Sequence, residues 1–192
     1  MTADATSGLT TVNRFWIRQR ITVVQNRYQV FLVGDDGSEG AEVCEVAQKR
    51  FAFKEQVMFT QGGTPVFGFK ARKVMDLGAT YDVVSADGTP IGLFRKDFKK
   101  SLLRSTWHLE QPGRPPAVGQ ERSIFVALVR RVQNEIPLPY HFDFAGPDGQ
   151  RVMSLSRKMG LRDKYLLEVH AEGLDRRLAI AMSVALDALQ SR

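Results

Sequence analysis

Tyr81-Asp-Val-Val-Ser-Ala-Asp-Gly-Thr-Pro-Ile-Gly-Leu-Phe-Arg-Lys96 is an extended apolar run, an Asp-Gly turn, a second extended run and a basic end. Asp-Gly between alternating runs is a strong short-range hairpin signal, because glycine accepts the positive φ a tight turn demands. Three more stretches repeat the pattern: Tyr28-Gln-Val-Phe-Leu-Val33 into Asp36-Gly37, Gln56-Val-Met-Phe59 into Gly62-Gly63, and Tyr140-His-Phe-Asp-Phe144 into Asp148-Gly149. Gly37, Gly63, Gly88 and Gly149 stand 26, 25 and 61 positions apart, and the last interval has room for one degenerate copy. A period of this size marks a repeated supersecondary unit. The architecture this predicts is antiparallel β.

Working outward, twelve extended segments emerge: Arg14–Val24, Tyr28–Val33, Ala41–Ala47, Gln56–Thr60, Thr64–Lys70, Thr80–Ser85, Thr89–Arg95, Ser105–Glu110, Arg122–Arg130, Tyr140–Phe144, Gln150–Arg157 and Lys164–Val169. They are short, turn-separated and rich in Val, Ile, Phe and Tyr, as barrel or sandwich strands are. Arg122–Arg130 is apolar on both faces, so strand and helix both fit it; its β-branched residues favour strand. Gln111–Gln120 holds three prolines and two glycines and reads as a long loop, the seam between two halves of the array. It is read as a connection inside one domain, since splitting there would leave a thin C-terminal core.

The C-terminal segment breaks the β pattern. Asp175 can cap a helix running to Leu189, and Leu178 to Leu186 is apolar throughout except for Ser183. A helix with no polar face is enclosed by protein or by membrane. This nine-residue run falls well short of the roughly 18–20 needed to span, so the expectation is a buried central helix of about 175–189. Its core is Leu178, Ile180, Ala181, Met182, Val184, Ala185 and Leu186, the alanines letting surrounding strands approach closely.

The chain has 192 residues, 43% hydrophobic and 25% charged, which suits one globular domain. The division expected is a disordered tail over 1–12 and a single domain over 13–192. Met1 to Thr10 lacks the apolar core of a secretory signal. Cys44 is the only cysteine, so no intrachain disulfide forms, and a buried inert thiol in a cytoplasmic protein is expected.

Two of the hairpins, Tyr81 through Lys96 and Gly149-Gln-Arg-Val-Met-Ser-Leu-Ser-Arg-Lys158, together with the close Asp175-Arg-Arg-Leu-Ala-Ile-Ala-Met-Ser-Val-Ala-Leu-Asp187, carry a resemblance. The chain resembles the LURP-one-related branch of the tubby-like barrels, which borders the phospholipid scramblases, over about Arg14 to Leu189. The resemblance implies a closed antiparallel barrel of about twelve strands around a central hydrophobic C-terminal helix. It also implies a connection with lipid, since tubby proteins bind phosphoinositides and scramblases are associated with lipid movement between leaflets. The Pro- and Cys-rich amino-terminal region and long membrane-spanning helix associated with scramblases are not in this sequence, which argues against scrambling.

Catalytic and metal signatures are sparse. His108, His141 and His170 are isolated and read as structural, and Asp35, Asp36 and Glu39 do not match the spacing of a helix-loop-helix calcium loop. No nucleophile elbow and no phosphate-binding loop occur. A non-enzymatic module without cofactor or metal is expected.

The net charge of +6 is unevenly spread and speaks to partners. Arg95-Lys-Asp-Phe-Lys-Lys-Ser-Leu-Leu-Arg104 surrounds Phe98, Leu102 and Leu103 with cations. Two readings stand: a solvated strand end with Phe98 and Leu102 in the core, and a surface that rests on an anionic bilayer through Lys96, Lys99, Lys100 and Arg104. The function expected from the second is peripheral association with anionic phospholipid headgroups. The alternative is a protein-interaction or regulatory scaffold without lipid binding, with an unidentified protein partner. Nucleic acid is disfavoured, because Trp16 and Trp107 are expected inside rather than on a stacking face.

Overall fold

A computed structural model describes residues 9, 11–21, 25–49, 56–72, 80–97, 106–121, 141–157 and 164–190. Twelve strands follow in order: β1 Arg14–Ile21, β2 Gln25–Val33, β3 Glu39–Lys49, β4 Gln56–Gln61, β5 Thr64–Ala71, β6 Thr80–Ser85, β7 Pro90–Asp97, β8 Thr106–Glu110, β9 Ala117–Glu121, β10 His141–Ala145, β11 Arg151–Arg157 and β12 Lys164–Val169. Helix α1, Arg176–Gln190, comes last. Each strand pairs antiparallel with its neighbours in sequence, and β1 closes on β12 through Arg14↔Glu168 to Arg18↔Lys164. Closure leaves no strand edge exposed to a second chain.

The hairpin turns show why the sequence repeats. At 34–38, 85–89 and 146–150 the backbone makes the same two bonds, from the first N–H to the fifth carbonyl and from the fourth N–H to the first carbonyl. In each, an aspartate at the third position (Asp36, Asp87, Asp148) accepts from the fifth N–H at 2.9–3.0 Å. The glycine that follows it takes φ of 76–87°. The degenerate copy is Pro112-Gly113 between β8 and β9, 25 positions after Gly88 and also at positive φ.

That copy corrects one expectation. Gln111–Gln120 is not loop throughout: Ala117–Glu121 is β9, paired with β8 and β10. Gly119 made the stretch read as a breaker, yet it sits in the strand because the Phe144 ring occupies its side-chain space; a Cβ there would lie 2.3 Å from Phe144 Cε1. The expected segment Arg122–Arg130 lies outside the described residues. Within the stretch expected as a tail, residues 9, 11 and 12 are described: Leu9 is only 4% exposed within the core and Val12 packs against it. Their apolar side chains find cover at the barrel, where the Val12 carbonyl also accepts from Arg176 Nε.

The lumen is filled from two sides. Aromatic rings line it from β4 to β8, with Phe59 stacked on Phe67 at 4.3 Å, Phe69 edge-on to Phe94 at 5.3 Å and Tyr81 stacked on Phe94 at 5.1 Å. Along the axis runs α1. Asp175 caps it by accepting from Arg177 N at 2.9 Å and pairs with the Arg177 guanidinium. Leu178, Ile180, Ala181, Met182, Val184, Ala185 and Leu186 are fully enclosed, and Ser183 satisfies its hydroxyl on the Ala179 carbonyl at 2.8 Å. The fit to the wall is tight: a Cβ at Gly92 of β7 would lie 2.8 Å from Leu178 Cδ2 and 2.5 Å from the Glu110 carbonyl.

A second, smaller cluster sits outside the barrel. Trp16 packs with Phe31, Leu166 and Val33 on the outer face, not in the lumen as expected. The reason is alternation: its neighbours Phe15 and Ile17 face inward, which turns Trp16 out. The Asp-Gly turn after β2 covers it, with Trp16 Nε1 donating to the Gly37 carbonyl at 3.0 Å. Lys164 lies over the Trp16 ring and Arg18 over Phe31, and Glu39 pairs with both cations.

Candidate functional site

In an antiparallel barrel the connections alternate between two ends. The even-to-odd turns (34–38, 62–63, 86–89, 111–116, 146–150) and the β12-to-α1 segment 170–175 belong to one end, called here the turn end. By sequence they carry one arginine against six Asp or Glu. The odd-to-even connections (22–24, 50–55, 72–79, 98–105, 122–140, 158–163) join the opposite strand ends and carry twelve Lys or Arg against four Asp or Glu. By sequence, this one set of connections carries more than the whole formal charge of +6, and the strand ends that it joins are called here the basic end.

Inside the barrel, polar residues collect toward the same end. Register places Lys96 opposite the core residue Trp107, Glu121 opposite Phe142, Arg157 opposite Tyr165 and Gln19 opposite Tyr28, so all four share the lumen face. Lys96 Nζ stands 5.8 Å from the Trp107 ring centroid, and the Arg157 guanidinium 5.8 Å from that of Tyr165. Elsewhere among the described residues most inward positions are apolar or aromatic. Two residues facing members of this inner collar, Tyr28 and Tyr165, reach Asp187 in the last turn of α1.

Asp187 binds two phenols that come from opposite parts of the sequence. Tyr28 Oη donates to Asp187 Oδ2 at 2.7 Å, Tyr165 Oη donates to Oδ1, and Gln19 Nε2 donates to Tyr28 Oη at 2.9 Å. A carboxylate near a helix C-terminus is disfavoured by the helix dipole, and two hydroxyl donors offset that cost. Burial, followed by the neighbouring Asp187 carboxylate, pushes the Tyr28 phenol far above its ordinary range, so it remains a proton donor at any physiological pH. The cluster is a latch that fixes how deep α1 sits.

Of the residues expected from sequence, Lys96 is at the collar, and Lys99, Lys100 and Arg104 lie outside the described residues. Two of the histidines have structural partners: His108 Nε2 lies 3.5 Å from Asp97 and His170 Nε2 lies 2.9 Å from Ser154 Oγ. Cys44 is buried, and desolvation raises its thiol pKa above the ordinary range, which makes it a poor nucleophile. The collar itself was not visible in the sequence. Its one local signal was an aspartate ending an apolar helix. No described helix is long and apolar enough to cross a membrane.

A closed twelve-stranded barrel filled by its own apolar C-terminal helix defines a class of helix-plugged β-barrel modules. Within that class the chain belongs to the LURP-one-related family, whose model matches residues 42–187, from β3 to the latch aspartate. No curated protein matches the sequence.

Proposed function

We propose that the protein is a non-enzymatic barrel module that associates peripherally with anionic phospholipid headgroups through its basic end. The observation that supports this reading is the charge division between the two sets of connections, twelve cations against four anions on one and one against six on the other. A surface of that kind is drawn to anionic lipid with about 1 kcal/mol for each Lys or Arg brought near the headgroups. Lys99, Lys100 and Arg104, from the connection after β7, are the residues assigned to headgroups, with Phe98, Leu102 and Leu103 among them in sequence; Lys96, expected with them, faces the lumen beside Trp107 and is left out of the assignment.

Flotation with vesicles of phosphatidylcholine alone, and with phosphatidylserine or phosphoinositide added, tests the reading. Binding is expected on the anionic vesicles only and weakens as salt rises. Replacing Lys99, Lys100 and Arg104 together with glutamine removes about 3 kcal/mol, or roughly a hundredfold in affinity. Equal flotation on neutral vesicles, or an unchanged triple variant, overturns it. No flotation at low salt leaves the scaffold reading, with a protein partner to be sought.

A further inference from the structure

The outer wall carries a cleft of about 370 Å³ where β6, β7 and β8 meet the 111–116 turn. Leu93, Pro112 and Pro116 make its apolar surface. The volume falls in the range of small-ligand sites, which are apolar with a few converging polar groups. Its floor is thin, because Gly92 separates the cleft from Leu178 of α1 by one strand of backbone.

The polar groups around it have unequal spare capacity. Arg72 gives Nε and Nη2 to Asp82 at 2.8–3.0 Å, and its Nη1 makes no hydrogen bond among the described residues. Arg114 gives Nη1 to the Glu172 carbonyl, with Nε and Nη2 likewise uncommitted. Glu110 accepts from Arg95 Nε at 3.3 Å through Oε1 alone. The cleft thus offers several guanidinium N–H donors from two arginines and one carboxylate oxygen as acceptor. An anion with a single donor close behind it satisfies that set.

We propose that this cleft binds the carboxyl-terminal end of a peptide. The terminal carboxylate takes the donors of Arg114 and Arg72, the peptide N–H before it donates to Glu110 Oε2, and the final side chains lie on Leu93, Pro112 and Pro116. Guanidinium pairs suit a planar carboxylate, and capture of a chain terminus by such groups is a recurrent recognition mode. The site does not rest on the lipid reading: it lies on the barrel wall and shares only Arg72 with the connections of the basic end.

The test is a titration of the nitrogen-15-labelled protein with acetyl-trialanine, free acid against C-terminal amide, followed by amide and arginine Nε resonances. The free acid is expected to move Leu93, Glu110 and Arg114 at millimolar concentration, with the amide roughly tenfold weaker. Arg114→Gln should remove the response. Since Arg114 also holds the 111–116 turn to residue 172, Glu110→Gln is the second variant and should weaken the acid while leaving the spectrum folded. Dialanine, whose ammonium can reach Glu110, separates a free dipeptide from a chain terminus: tighter binding than the acetylated peptide overturns the terminus assignment. Equal shifts with acid and amide, or none with either, overturn the site.

Discussion

The two ends of this barrel are built by different rules. At the turn end, order is local: three hairpins repeat one five-residue device in which an aspartate accepts from the N–H two positions on and a glycine supplies positive φ. At the basic end, order is long-range: the latch joins Tyr28 to Asp187, 159 positions apart, and brings in Tyr165 from β12. Even the turn end has long-range ties, Gln111 holding the Gly173 carbonyl and the Asp175 N–H, Arg114 the Glu172 carbonyl and Arg176 the Val12 carbonyl, which set where α1 enters. Local devices can be swapped with little effect beyond their own hairpin. A long-range latch couples distant strands, so its loss is felt across the barrel.

Variants should separate the two in order of effect. The largest belongs to neither end: Ala181→Glu puts an unpaired charge at the middle of the lumen, and soluble folded protein should not be recovered. A cooperative melt near that of the parent would show that α1 is not enclosed. Next comes the latch. Asp187→Ala leaves two largely buried phenols without their carboxylate and should cost about 3 kcal/mol in urea unfolding. At the turn end, Gly88→Ala asks a residue with a side chain to hold φ near 87° and should cost only about 1 kcal/mol. If Gly88→Ala destabilises more than Asp187→Ala, the contrast between the ends is wrong.

Alkaline pH gives a finer test of the latch. Tyr28 has its pKa raised above the ordinary value of 10.0, so the folded state keeps a proton that the unfolded chain releases there. Above that pH the unfolded state binds fewer protons, and stability falls as pH rises. The urea midpoint of the parent should drop through this range, and Tyr28→Phe should flatten the drop. An identical slope in both would remove Tyr28 from the linkage.

The same division decides what could be read from sequence. Asp-Gly turns, alternating runs and an apolar helix behind an aspartate cap are local signals, and they gave the strand order and the plug. β9 was hidden because Gly119, which makes room for Phe144, looks the same in sequence as a glycine that breaks a strand. Trp16 was misplaced because its inward or outward sense depends on register rather than on its own hydrophobicity. The collar was illegible for a deeper reason: Gln19, Tyr28 and Tyr165 meet at Asp187, at one helix end, only through closure. The basic connections, by contrast, were legible as charge, and their shared end follows from chain order alone.

Because β1 is completed by β12 and the lumen by α1, the first strand and the interior share a single kinetic dependence. Until residues 164–190 arrive, β1 has one partner instead of two and eleven strands surround nothing. Partial assemblies must hold aromatic faces and an open edge while the longest loop in the molecule closes. Refolding should therefore be slow, and a variant lacking α1 should persist as a sticky, edge-exposed sheet rather than as a smaller barrel.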